Sequence, residues 1–177
     1  EMCIRDSSMP KQWFVIVLLV LVTISCSSSK SKTARNTPGP IPVHHEDEVS
    51  KVSKAVVVTA KKYKGTRYKY GGDTRKGMDC SGLIYTSFSS NNISIPRSTT
   101  QLKTFGDWID LKEVKVGDLV FFATRKNSRK VNHVGIVTEV MNGDLSFIHS
   151  TTSKGVIESR LSERYWYFAF VQARRVL

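Results

Sequence analysis

The chain has 177 residues, of which 40% are hydrophobic, and its 27 Lys and Arg against 15 Asp and Glu give a formal net charge of +12. Such a length and composition suit one modest globular core plus a tail, and cysteines at positions 3, 26 and 80 alone exclude a disulfide framework and a Cys-x-x-Cys metal motif. The surplus charge lies in the body of the chain and implies an anionic partner or surface; nucleic acid does not fit, because no aromatic-interleaved basic motif or reading module accompanies it.

Residues 1–8, Glu-Met-Cys-Ile-Arg-Asp-Ser-Ser, carry no structural or targeting pattern and are expected to be a non-native leader before a natural start at Met9. From Lys11 the pattern is that of a secretion signal over residues 9–25: a positive charge, the apolar run Trp13 to Val22, then small and polar residues. The apolar run is too short to span a bilayer comfortably. Thr23-Ile24-Ser25-Cys26 resembles the lipobox of bacterial lipoproteins, with Thr23 in place of the usual Leu or Val, so Cys26 is expected to be acylated and to become the new N-terminus. A plain cleaved signal with an incidental Cys26 is the alternative. Residues 26–46 read as a flexible tether, in which the stretch Ser27 to Val43, rich in Ser, Lys, Thr, Pro and Gly, has an r.m.s. reach of roughly 20–25 Å. His44 and His45, adjacent and next to an acidic cluster, read as solvated rather than as metal ligands.

The folded domain is expected over 47–177. It opens with a helix whose apolar positions Val49, Val52, Val56, Ala60 and Tyr63 recur every three or four residues, with Glu46 to Glu48 at its positive end, Lys61, Lys62 and Lys64 at its negative end, and Gly65 as a stop. A second helix begins at Cys80, after the turn-forming Gly71-Gly72 and Gly77, with Leu83/Ile84 and Ser87/Phe88 at helical spacing and Asp79 as a cap. A helix N-terminus stabilises negative charge, so this position is expected to lower the thiol's pKa. A buried, inert cysteine is the plainer alternative. Ser98 or Thr99 can cap a short helix closed by Gly106. Strands follow at Leu119 to Phe122, His133 to Val140, Leu145 to His149, Val156 to Glu158 and Tyr167 to Ala173, and the basic run Arg125 to Lys130 reads as a solvated hairpin loop rather than a dedicated wall-binding patch. Helices first and an antiparallel sheet after is an α+β arrangement.

Cys80 at a helix start, followed by His133 and His149 on strands, is the order of a papain-like nucleophile served by a sheet. Attack by a thiol needs a base, and the base needs a third polar group to fix its tautomer. Residue type alone leaves open a zinc site on the same three side chains.

Residues from about 55 to 177 resemble the NlpC family of bacterial cell-wall cysteine peptidases, closest to its small lipoprotein murein endopeptidases. The resemblance runs through Gly65 to Gly72, Asp79-Cys80-Ser81-Gly82-Leu83, Ile95-Pro96-Arg97-Ser98-Thr99, Gly117 to Phe122, His133-Val134-Gly135-Ile136 and Phe147-Ile148-His149-Ser150. It implies a papain-like thiol peptidase core with Cys80 as nucleophile, His133 as base and His149 as the group orienting it, Tyr68 positioning or polarising the scissile carbonyl, and Asp79 and Ser81 contacting the stem peptide. The implied activity is hydrolysis of amide bonds in peptidoglycan stem peptides or cross-links, by a monomer with no cofactor, no metal and no nucleic-acid partner. Cys26 would hold it at the outer membrane, facing the periplasm. A catalytically silent wall-binding lipoprotein, or a thiol amidase or acyltransferase on another substrate, are the other readings. An intact Cys/His/His set argues against the first of these.

The hairpin bearing the two histidines must place them on one face. A two-residue Asn142-Gly143 loop in a regular ladder would set His149 opposite Ile136 and put His133 on the other face. A three-residue Met141-Asn142-Gly143 loop, or a bulge of the same effect on parity, sets His149 opposite Gly135 and brings the histidines together. The expectation is the three-residue loop, or a bulge with the same effect on parity.

Overall fold

A computed structural model describes residues 45–177. The leader, signal segment, Cys26 and nearly all of the tether lie outside the described residues. Among those described, no helix is long and apolar enough to cross a membrane.

Helix α1 (His45–Lys61) opens the domain, two residues inside the stretch read as tether. It buries Val56 and Ala60 completely, as their spacing requires, and Lys61 and Lys64 reach Glu158 at 3.1 and 2.8 Å. A small hairpin of β1 (Asp73–Thr74) and β2 (Gly77–Met78) leads directly into α2 (Cys80–Ser89). Helix α3 (Thr99–Leu102) is capped by Ser98. There follow β3 (Asp107–Ile109), a 3-10 turn over Leu111–Glu113, β4 (Leu119–Phe122), β5 (His133–Met141), β6 (Asp144–Thr151) and β7 (Gly155–Arg160). Helix α4 (Arg164–Ala169) and strand β8 (Phe170–Arg175) close the chain.

The antiparallel sheet has the order β3-β8-β4-β5-β6-β7 and is buried on both faces. Alternation along each strand separates two cores. Leu119, Phe121, Val134, Ile136 and Ile148 pack with α1 and α2, while Val120, Phe122, Val137 and Phe147 pack with Trp166 and Ala169 of α4. Helices before an antiparallel sheet is the α+β class expected.

One local expectation needs correction, and at the hairpin the structure takes the bulge rather than the three-residue loop. Tyr167 to Ala169 are helical, not strand: burial of Trp166 and Ala169, three residues apart, fixes a helical turn, while Tyr165, Tyr167 and Phe168 stay exposed. Their aromatic, strand-favouring character is overridden by what Trp166 packs against. The β5–β6 turn is the two-residue loop, with Asn142 and Gly143 both at positive φ (51° and 78°) and Met141 paired with Asp144. Parity is restored by a bulge at Thr138, between the pairs Glu139 to Ser146 and Val137 to Phe147. Beyond it Ile136 faces Ile148, which brings Gly135 opposite His149.

Candidate active site

Asp79 builds the start of α2. Its carboxylate accepts from the Gly82 N–H at 2.6 Å, the Gly71 N–H at 2.7 Å and the Ser81 hydroxyl at 3.1 Å. Arg97 ties this cap to the preceding loop: one nitrogen donates to Asp79 (3.2 Å) and Ser81 (3.0 Å), the other to the Gly71 and Gly72 carbonyls at 3.0 Å each. Cys80, the first residue of α2, is thereby held at the junction of helix and sheet. Tyr68 arrives beside it through a bridge to Met78.

Three donors face the sulfur: the Thr99 hydroxyl at 3.6 Å and the backbone N–H groups of Val134 and Ser81. All three favour the thiolate, yet burial is the larger influence and pushes the thiol up, with the Asp79 charge adding to it. The expectation of a lowered thiol pKa from the helix start therefore fails, because the helix end lies on the floor of a cleft. Burial, then the charges of Cys80 and Asp79, likewise raises the Tyr68 phenol.

His133 begins β5 and shares a face with His149. Its Nε2 lies 2.9 Å from His149 Nδ1, and His149 Nε2 lies 3.2 Å from the Ser159 hydroxyl on β7. Burial holds His133 down to about 4 and His149 down to about 3, the latter also through its neighbour's charge. Both rings are therefore neutral near pH 7. One proton order makes every contact a hydrogen bond and frees a lone pair: His133 Nε2–H donates to His149 Nδ1, His149 Nε2–H donates to Ser159, and His133 Nδ1 is left open. Gly135 makes the approach possible, since a Cβ there would stand 2.7 Å from the Phe147 ring and 3.3 Å from the His149 Cβ. Trp166 covers the pair, stacked on His133 (centroids 5.5 Å, 22°) and edge-on to His149 (4.6 Å, 80°).

Cys80 and His133 line the same cleft. One arm, about 330 Å³, carries both of them with Tyr68, Ser150 to Ser153, Tyr165 and Trp166. The other, about 570 Å³, shares Tyr68, Cys80 and Asn132 and continues past Asp79, Ser81, Arg97, Arg125 and Lys130. Every residue singled out from the sequence between 68 and 149 is thus gathered here, although the hydrogen bonds of Asp79 and Ser81 are already directed to Arg97 and the helix cap. Ser159 and Trp166 were not foreseen. Ser159 becomes visible only once the β6–β7 register pairs it with Phe147, and Trp166 lies just before the segment read as strand, in a helix the sequence reading lacked. Among the described residues no cluster of three His, Cys, Asp or Glu side chains is arranged to hold a metal ion, and both nitrogens of His149 face protein partners.

The model of the NlpC/P60 family matches residues 65–175. The probable endopeptidase NlpC homolog of Haemophilus influenzae is 41% identical over 125 residues, covering 70% of this chain and 63% of the relative. The murein DD-endopeptidase MepS/murein LD-carboxypeptidase of Escherichia coli K12 is 40% identical over 116 residues, covering 65% of this chain and 58% of that one. A crystal structure of an NlpC/P60 family protein from Bacillus cereus superimposes with a TM-score of 0.62 at 29% identity, covering 71% of this chain and 40% of the other. The chain thus spans less than two thirds of each of these three.

Proposed function

The chain belongs to the NlpC/P60 family, and on that premise we propose that it is a cysteine peptidase that hydrolyses an amide bond in the stem peptides or cross-links of peptidoglycan. The observation that carries the reading is the chain of contacts from His133 through His149 to Ser159, at 2.9 and 3.2 Å, in a cleft that also holds Cys80.

The open Nδ1 of His133 takes the Cys80 proton as sulfur attacks the scissile carbonyl. The resulting imidazolium is stabilised by His149, whose lone pair accepts from His133 Nε2–H, while Ser159 prevents His149 from turning its own N–H toward His133. N–H groups at the α2 start and the Tyr68 hydroxyl supply donors for the oxyanion. His133 then returns its proton to the leaving amine, the amine half departs, and water attacks the thioester with His133 again as base, regenerating the thiol. Asp79 and Ser81 contribute by shaping the wall beside the nucleophile. No step requires a cofactor.

We further propose export and retention by an acylated Cys26 at the membrane, with residues 27–46 reaching toward the wall. Burial of acyl chains gains about 0.8 kcal/mol per methylene, so two or more chains give stable anchoring, and the +12 charge supplements it by attraction to anionic wall polymers. A Cys26→Ala protein is expected in the soluble fraction after export; full retention in the membrane fraction would remove the anchor. The enzymatic reading is tested by incubating purified peptidoglycan with the protein and identifying the products by mass spectrometry. Matched new amino and carboxyl termini within stem peptides are expected. Binding to the polymer without release of fragments would favour a silent wall-binding protein.

A further inference from the structure

Helix α4 leaves an apolar face uncovered. Trp166 and Ala169 turn into the core, whereas Tyr165, Tyr167 and Phe168 are 58%, 64% and 67% exposed. At 3.6 residues per turn these three and Arg164 fan over roughly 160° of the outward side. The rings are gathered rather than scattered: Tyr167 and Phe168 meet edge to face with centroids 5.4 Å apart, and Tyr165 leans on Trp166 at 4.8 Å. Single exposed aromatics are ordinary on a folded surface, but three on one six-residue helix mark a contact surface.

Cations border this face. The groove beside α4 is lined by Tyr165, Phe168, Arg164, Arg125 and Lys126, with no Asp or Glu in its wall. Arg125, Lys126 and Arg164 form no ion pair among the described residues, and all three are exposed. The neighbouring Glu163 carboxylate accepts from the Arg160 N–H at 2.7 Å. The loop and the helix are fastened together. Arg129 donates to the Phe168 and Phe170 carbonyls at 3.3 and 3.4 Å, and the Ala123 N–H donates to the Ala169 carbonyl at 2.8 Å, so the basic β4–β5 loop is held against α4.

We infer that this face docks on a bilayer of anionic phospholipid, with Tyr165, Tyr167 and Phe168 entering the headgroup level and Arg125, Lys126 and Arg164 meeting the phosphates. Aromatic rings with one polar end suit the boundary between headgroups and acyl chains, and each basic residue at an anionic surface contributes about fivefold to binding. A soluble polyanion would leave the rings in water, and a neutral glycan would leave the cations without a counterpart. The contact does not depend on acylation of Cys26. It orients the domain at the membrane, because Tyr165 and Arg125 also line the catalytic cleft.

The test follows hydrogen exchange by mass spectrometry on the full chain made without acylation, so that attachment through Cys26 and docking through α4 fail separately. Peptides covering residues 124–130 and 163–170 are read, which keeps lipid contacts made elsewhere in the chain apart. Vesicles of phosphatidylglycerol and phosphatidylethanolamine are expected to slow exchange in both peptides roughly fivefold or more, the weight of one basic residue, and vesicles of phosphatidylcholine to leave it unchanged. The slowing is lost in Y167S/F168S and, separately, in K126Q/R164Q, whose residues do not line the cleft. The second pair alters only exposed charged side chains, so it decides the matter should the first variant not fold. No slowing on the anionic vesicles, equal slowing on phosphatidylcholine, or slowing that persists in folded K126Q/R164Q overturns the docking. Equal slowing by polyglycerol phosphate in solution overturns it in favour of a soluble polyanion, and slowing that grows with protein concentration without vesicles overturns it in favour of a second copy of the chain.

Discussion

Ser159 has a single hydroxyl, and by accepting from His149 Nε2–H it suits the tautomer in which Nδ1 faces His133 unprotonated. Ser159→Ala leaves the His149 Nε2–H without its acceptor at a site with 0% exposure, and is expected to cost about 1–3 kcal/mol of stability. It also frees the ring to adopt the wrong tautomer, so kcat should fall while KM changes little; an unchanged kcat would show that Ser159 is not part of the relay. The two lowered histidines carry a second prediction. Between an ordinary 6.5 and about 4 for His133, or about 3 for His149, the unfolded chain binds more protons than the folded one. Unfolding free energy therefore falls as the pH drops through that window, by up to about 1.4 kcal/mol per pH unit for each histidine. Denaturant titrations at pH 7, 5.5 and 4 measure it, and a flat profile would contradict the burial of the pair. At this scale the gathering of Cys80, His133 and His149 was legible, because a lone cysteine at a helix start followed by two strand histidines is an unusual set in a telling order. The sign of the thiol shift was not, since a sequence shows the helix start but not the depth of the cleft above it.

The hairpin β5–β6 and the helix α4 position the His133 and His149 rings. Gly135 sits where the strands bring its Cα against Phe147 and His149, and Gly135→Ala is expected to displace His149, costing about 1–3 kcal/mol and most of the activity. Full activity in that variant would mean that the His133 to His149 contact is dispensable. Trp166 is argued from the same packing: Trp166→Ala admits water to both rings and moves the acid limb of kcat/KM upward, from about 4 toward 6.5, whereas Trp166→Phe keeps most of the cover. An acid limb unmoved in a folded Trp166→Ala protein would leave the tryptophan a purely structural role. Strand alternation and the glycine opposite His149 could be read from sequence. The position of the extra residue could not, because Thr138 resembles its neighbours and the bulge depends on how β5 meets both β6 and the Gly117-Asp118 turn, where Gly117 N–H donates to the Val137 carbonyl and Val137 N–H to that of Asp118. The helix at 164–169 was hidden for a similar reason. A run of Tyr, Trp, Tyr and Phe favours strand locally, and only the cavity filled by Trp166 selects the helix.

The whole domain brings Cys80 from the helical layer and His133 from the sheet into one cleft, and neither layer alone contains both. Both cores meet at the junction, one beneath α2 and the other beneath Trp166, so the reacting groups rest on packed scaffold rather than on loops. Covalent catalysis by Cys80 is the claim on which these statements converge, and it is tested most directly by exposing purified peptidoglycan to wild-type and Cys80→Ala proteins of matched circular dichroism and following the released peptides by mass spectrometry. The account predicts amide hydrolysis by the wild type and, in the variant, a loss of about 10³-fold or more; digestion by folded Cys80→Ala protein at a wild-type rate would contradict it.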